Sequence, residues 1–404
     1  MQTSPTNTGA ATTVPVGGGS PGSARGQAVP DYARCWVEID LGALRHNARV
    51  AADLAGHPVM AVVKANGYGH GAEAVARALE GEPSVAGFGV AGVAEGLALR
   101  RAGAGSPVFV LGACLPEERA VAVGQGFNVI VSDLEEAAAF DAAALAQGTT
   151  AAVHLAIDTG MGRLGLLEKD WSEAWMARLL ELRNLQLAGV ASHLPSADED
   201  EAFTLDQAQR FRRLAARVRA AADVRQVHLC NSAGIMAMGD RVADFCNLSR
   251  AGLMLYGVAP VPRHAGRLRP VLSWHTRVTL VRELPPGHGI SYGRTLVTDR
   301  PTRVATLGIG YGDGYPRHLS GNGATVLVHG VRCPLLGRVT MDQVMVDVGA
   351  VGRPVLPGDP AVLLGGEGAA RIDAAELARH AGTIPWEILT GISRRVARVY
   401  RPAG

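Results

Sequence analysis

Cysteine is scarce and badly placed for stapling a fold. The 404 residues hold five, Cys35, Cys114, Cys230, Cys246 and Cys333, an odd number with no CxxC pair. A disulfide framework or a zinc ribbon needs paired, closely spaced thiols. This distribution therefore predicts reduced thiols, a cytoplasmic setting and no metal. Long apolar runs are missing too: none reaches the roughly 18 residues that a membrane helix requires, so no membrane role is expected. The opening stretch, MQTSPTNTGAATTVPVGGGSPGSARGQ, lacks the apolar centre of a secretory signal. Its Ser, Thr, Gly and Pro content predicts a disordered tail over residues 1–33. Charge of one sign is also lacking. Lys+Arg 39 against Asp+Glu 37 give a formal net charge of +2, with the signs interspersed. Such a balance excludes the one-sided field of a nucleic-acid binder and points to a small-molecule partner.

What is present is a regular alternation. From about residue 42, short apolar runs occur at VMAVVKA (59–65), AGFGVA (86–91), PVFVLG (107–112), FNVIVS (127–132), AAVHLAI (151–157), LQLAGVAS (185–192) and QVHLCNS (226–232), with a shorter candidate at LMLYG (253–257). These are too short for helices and read as strands buried on both faces. Between them lie amphipathic stretches of helical spacing, such as GAEAVARALEG and LDQAQRFRRLAARVRAA. Eight strands alternating with helices predict an α/β fold, a (β/α)8 TIM-type barrel over residues 34–265. A doubly wound sheet is the alternative, but the first strand ends in KANGYGHG, not the GxGxxG of that fold. After about residue 265 the texture changes to short strands broken by Gly, Pro and Asp turns, predicting a mainly β C-terminal domain over 266–404.

Reactive groups of such a barrel sit beyond the carboxyl ends of its strands. There the chain places Lys64, Asn66 and Tyr68 after the first strand, Asp158 to Arg163 after the fifth, Ser192-His193 after the sixth, and Asn231-Ser232 after the seventh. Arg250 and Gly252 lie near the eighth. Position alone leaves Lys64 with two readings. Desolvation lowers an ammonium pKa and frees the amine as a Schiff-base nucleophile, whereas a strand-end lysine also snorkels for purely structural reasons. His193 by itself is equally at home as a packed imidazole.

The combination narrows the choice. AVVKANGYGHG, DTGMGRLG, SHLPSADE, NSAG, RAGLMLYGVAP, GISYGRT, IGYGDGYPR and GRVTMDQVMVDVG resemble, in order and spacing, the motifs of the alanine racemase family, from about WVEIDL (36–41) to RVARVY (395–400). The resemblance implies an isomerase that interconverts L- and D-alanine and supplies D-alanine for peptidoglycan, a homodimer with shared active sites, and pyridoxal 5'-phosphate (PLP) as cofactor. It implies that Lys64 carries PLP covalently and acts as one base, while Tyr292 from the second subunit is the other. Tyr68, Asn231, Ser232, Gly252 and Leu253 would surround the phosphate, Arg250 would face the ring nitrogen, and His193 would pack beside the ring. Arg163 would meet the amino-acid carboxylate, with Tyr311, Met341 and Asp342 lining substrate access from the partner.

Two positions depart from the family pattern. Ala156 stands where a lysine, carbamylated to support the following arginine, is common. Arg394 replaces a phosphate-reaching tyrosine and, as an arginine, is itself expected to contact phosphate. The alternatives are a racemase of broader or shifted specificity, for instance toward serine, and a PLP-dependent decarboxylase on the same plan. A decarboxylase should oppose the ring nitrogen with an acid rather than Arg250. A PLP carrier without activity would leave residues 266–404 unexplained.

Overall fold

The computed structural model describes residues 28–367 and 370–402. The expected tail over 1–33 lies outside the described residues as far as residue 27. The chain opens with strand β1 (Cys35–Asp40) and a helix, Leu41–Ala55. Asp40 caps that helix by accepting from the Ala43 amide, which satisfies one of the orphan donors at its start.

Eight parallel strands follow: β2 (Val59–Val62), β3 (Val85–Val90), β4 (Val108–Val110), β5 (Asn128–Val131), β6 (Ala151–Asp158), β7 (Leu185–Ala191), β8 (Gln226–His228) and β9 (Ser249–Ala251). They hydrogen-bond in the order β9-β2-β3-β4-β5-β6-β7-β8. A parallel bridge, His228↔Leu248, joins β8 to the approach of β9 and closes the ring. Strands such as β2 and β4 are buried along their whole length, as expected for strands between a packed barrel interior and a helical shell.

The eighth strand differs from the expectation. LMLY forms a buried 3-10 turn, Leu253–Tyr256, and the strand lies just before it at Ser249–Ala251. A short apolar run does not distinguish a strand from a buried helical turn, and the polar Ser249-Arg250 pair disguised the real one.

The second unit is built from β10 (Leu272–Leu284), β11 (Thr302–Leu307), β12 (Thr325–Val328), β13 (Val331–Leu336), β14 (Val344–Asp347), β15 (Pro360–Glu367), β16 (Ala370–Ile372) and β17 (Ala397–Arg401). Antiparallel pairing runs β10-β11-β14-β13-β12-β15, and β15 returns to β10, so these six strands form a closed ring. The long β10 makes this closure by pairing with β11 in its second half and β15 in its first. β1 also belongs here. It lies antiparallel to β10 (Cys35↔Thr276 to Ile39↔Leu272) and parallel to β17 (Trp36↔Ala397 to Asp40↔Arg401). The expected 34–265 barrel span thus begins with a strand held by the other sheet, because its partners lie more than 200 residues downstream, beyond the reach of local pattern.

Candidate active site

Lys64 lies just beyond β2, and the backbone after it is unusual. Ala65, Asn66, Gly67 and Tyr68 all have left-handed φ, between 51° and 61°. For residues with a Cβ this costs roughly 1–2 kcal/mol each, so the surroundings must impose it. They do. The Gly67 amide donates to Val63 O at 2.7 Å, the Ala65 amide to Glu95 Oε1 at 2.7 Å, and Arg398 Nε to Gly69 O at 2.9 Å. Helix Pro385–Thr390 closes over the turn; a Cβ on Gly69 would sit 2.1 Å from Leu389 O, so only glycine fits. The turn fixes Lys64 against the mouth of a cavity of ≈ 360 Å³ at the carboxyl ends of the barrel strands, where Arg163, His193 and Arg250 also line the wall. Burial pulls the Lys64 ammonium pKa below its ordinary value, and the Arg163 and Arg250 charges push the same way, against Glu95.

Beside the lysine turn is a cradle for an anion. Helix Ser232–Val242 begins here, N-capped by Asn231, whose Oδ1 accepts from the Gly234 amide at 2.9 Å. Ser232 Oγ accepts from the Gly252 amide at 2.9 Å, and Leu253, buried, opens the 3-10 turn that follows. A Cβ on Gly252 would lie 2.6 Å from Tyr68 Oη and 3.8 Å from Ser232 Oγ, so the missing side chain keeps clear a space ringed by two hydroxyls and a helix N-terminus. Tyr68 stacks on Tyr256 with ring centroids 4.9 Å apart, and burial pushes its phenol up to about 12. It therefore stays a donor. Helix-terminal amides with neutral hydroxyl donors suit a phosphate.

Arg250 is buried among neutral partners. Its Nη2 donates to Ser192 O at 2.6 Å and Leu229 O at 2.8 Å, and reaches His193 Nδ1 at 3.2 Å. Its Nη1 donates to His228 Nδ1, and His228 Nε2 lies 2.9 Å from His154 Nδ1. A guanidinium has only donors, so it sets the tautomers along the His228–His154 line. His228 accepts at Nδ1 and carries hydrogen on Nε2, and His154, accepting in turn, does the same; His193 lies between two donors, Arg250 Nη2 at its Nδ1 and Asn231 Nδ2 3.4 Å from its Nε2. Burial followed by the Arg250 charge lowers all three imidazole pKa values, to about 4 for His154 and about 2 for His193. The histidines are neutral and the arginine is the cation.

Arg163 ends the loop after β6. Asp158 holds that loop by accepting from the amides of Gly160 (2.8 Å), Met161 (2.9 Å) and Gly162 (2.9 Å). Ala156 forms part of the cavity wall, packed with Ile130 and Ala191.

The structure brings Lys64, Arg163, His193 and Arg250 together at the cavity, with Tyr68, Asn231, Ser232, Gly252 and Leu253 beside it. Tyr292, Tyr311, Met341, Asp342 and Arg394 do not line this cavity in the single chain. The first four lie on the β domain. Tyr292 is 69% exposed, Met341 53% and Tyr311 41%. Their loops interlock: Ser291 Oγ donates to Arg338 O at 2.6 Å, the Tyr311 amide to Thr340 O at 3.0 Å, and the Gly312 amide to Met341 O at 2.9 Å. Arg395 bolts the assembly by donating to Asp313 Oδ1 at 2.6 Å and Asp342 Oδ1 at 2.7 Å. Three sequence-distant motifs thus present one exposed aromatic and methionine face. Arg394 is exposed at the segment that packs on the lysine turn.

Sequence reasoning passed over His154, His228, Glu95 and Arg395. The two histidines had a signal: each is an imidazole inside an apolar strand, which must find a buried partner.

Comparison with known proteins agrees with this architecture. The family "Alanine racemase, N-terminal domain" matches residues 39–260, and "Alanine racemase, C-terminal domain" matches 271–400. Alanine racemase of Symbiobacterium thermophilum is 44% identical over 371 residues, covering 90% of this chain and 96% of that protein. The crystal structure of alanine racemase from D-cycloserine-producing Streptomyces lavendulae superposes with a TM-score of 0.84 at 36% identity, covering 92% of this chain and 98% of that one. The Bacillus anthracis alanine racemase with bound L-Ala-P gives 0.82 at 35%, covering 92% and 96%. With its barrel, its second domain and nearly its whole length matched, this chain belongs to the alanine racemase family, isomerases that interconvert L- and D-alanine.

Proposed function

We propose that the chain racemises alanine with PLP in this cavity, through two bases contributed by two subunits of a homodimer, in the cytoplasm, and so supplies D-alanine for the cell wall. Arg250 carries the reading. It is a buried cation whose hydrogen-bond partners are all carbonyls and neutral imidazoles, which suits a ring nitrogen that must not be protonated. The residues present fit PLP. Lys64 offers a desolvated amine, Tyr68, Ser232, Asn231 and the Gly252 and Leu253 backbone suit its phosphate, and Arg250 suits its ring nitrogen. When bound, PLP supplies the electron sink without which a Cα–H is not removable.

The chain's own groups do the rest. Racemisation takes a proton from one face of Cα and returns one to the other, so it needs a base on each side. Lys64 serves one face, and its amine is neutral at lower pH than a free lysine's because it is desolvated beside two guanidinium groups. Tyr292 of the partner subunit serves the other. A phenol with a pKa near 10 is a weak base at neutral pH. The Arg250 cation, acting through His193, favours the phenolate. Arg163 holds the substrate carboxylate. Tyr311, Met341 and Asp342 from the partner narrow the access, and Arg394 neutralises charge near the phosphate. A guanidinium at the ring nitrogen leaves the ring a weaker electron sink, which suits proton transfer over decarboxylation.

The chain holds only two lysines, Lys64 and Lys169. Borohydride reduction of the PLP-loaded protein followed by peptide mapping therefore has two outcomes for a lysine adduct. Label on Lys64, with chiral chromatography showing D-alanine formed from L-alanine, is expected. Label on Lys169, or carbon dioxide release from L-amino acids, overturns the reading.

A further inference from the structure

Glu95 sits in the first turn of helix Val93–Arg101, where an acid is unremarkable as a helix cap. One carboxylate oxygen serves that local purpose: Oε2 accepts from the Ala91 amide at 2.8 Å, four residues back. The other oxygen does something no cap requires. Oε1 accepts at 2.7 Å from the amide of Ala65, the residue directly after Lys64 and the first of the left-handed run. The carboxylate thus ties the ends of two neighbouring barrel strands together at the lysine.

Resting on the reading of Lys64 as the reactive amine, we propose that Glu95 is its positioning residue. Glu95 pins the strained turn that aims the amine and provides the one anionic counterweight to the guanidinium groups facing it. The groups around Lys64 are few. Arg163 reaches it from the loop after β6 and Arg250 from β9, both destabilising its charge, whereas Glu95 stabilises it. His193 is neutral there. Asp158 lines the same cavity but holds its own loop, and it is not among the charges that act on the Lys64 amine. Glu95 is therefore positioned to decide how readily the amine gains and loses its proton. A glutamine keeps one oxygen acceptor, turns an NH2 toward the second amide and removes the charge.

The two-lysine composition makes the test clean. The full-length, cofactor-free chain is labelled with trace acetic anhydride across pH 6–10, and Lys64 and Lys169 are followed by mass spectrometry, Lys169 serving as internal reference. In Glu95→Gln the labelling midpoint of Lys64 should fall by at least about 0.5 pH unit while that of Lys169 stays fixed. Should that variant fail to fold, Glu95→Asp, too short to span both amides, should shift the Lys64 midpoint in the same direction by less. An unchanged Lys64 midpoint in either folded variant overturns the proposal and leaves Glu95 an ordinary cap. Because the measurement needs no cofactor, it is independent of the borohydride mapping, so either idea can fail alone.

Discussion

The cavity wall of the barrel and the exposed face of the β domain are opposite kinds of surface. In the barrel wall, the buried Arg250 cation is held entirely from within the chain. Arg250 has five hydrogen-bond contacts to four residues, all of them internal. The β-domain face is equally well ordered from behind, through Arg395, Asp313 and the interlocked loops, yet its Tyr292, Tyr311 and Met341 project outward. On the two-subunit reading proposed above, the barrel supplies one half of the site and this rigid, uncovered face the other, each ordered within its own chain before association.

The most severe way to break this comparison is to disable one half in each of two chains. Lys64→Ala and Tyr292→Phe should each lower racemisation by roughly 10³-fold. In a heterodimer isolated by two different tags, one site carries both defects and the other neither. Activity should return to about half that of the wild-type dimer. A heterodimer no more active than its parents would place both bases in one chain or remove Tyr292 from the mechanism.

A smaller effect tests the barrel wall alone. Gly252→Ala puts a methyl group 2.6 Å from Tyr68 Oη, inside the space ascribed to phosphate. PLP affinity, read by fluorescence titration, should weaken about tenfold or more, and because the methyl group also crowds the buried Tyr68 ring, the melting temperature of the cofactor-free chain should fall as well. Unchanged affinity would mean the phosphate lies elsewhere.

The gentlest test uses acid. Burial holds His70 and His154 at about 4 and His228 well below its ordinary value. The unfolded chain takes up these protons below about pH 6.5, whereas the folded barrel refuses them, so stability is full above that pH and is lost as pH falls toward the folded values. His70 and His154 each contribute about 2 kcal/mol of loss between pH 7.5 and 5.0, and His228 acts in the same direction. Urea midpoints of the cofactor-free chain at the two pH values measure it. A difference below about 1 kcal/mol would show that these imidazoles accept protons in place.

Most of the barrel was legible because strands buried on both faces announce themselves as short apolar runs, as at Val108–Val110. β9 was not, since Ser249 and Arg250 make two of its three residues polar. Its burial depends on carbonyls and imidazoles contributed by β7 and β8. The residues at strand ends, Lys64, His193, Asn231 and Ser232, were readable from position within the barrel. Glu95 was not, because its second hydrogen bond spans 30 residues while its first looks like routine capping. The face bearing Tyr292 was readable only through resemblance: nothing in spacing reveals that Tyr292, Tyr311 and Met341 share a surface.

β1 also sets a constraint on biosynthesis. It is the first strand among the described residues, yet it is clamped between a strand that begins at Leu272 and one that ends at Arg401. All eight barrel strands are made before either partner exists. Vectorial synthesis therefore leaves a β-rich segment, CWVEID, unpaired until β10 emerges, and its other edge open until β17 follows. The barrel has to form as a loop drawn out between the two ends of a sheet that is sealed last.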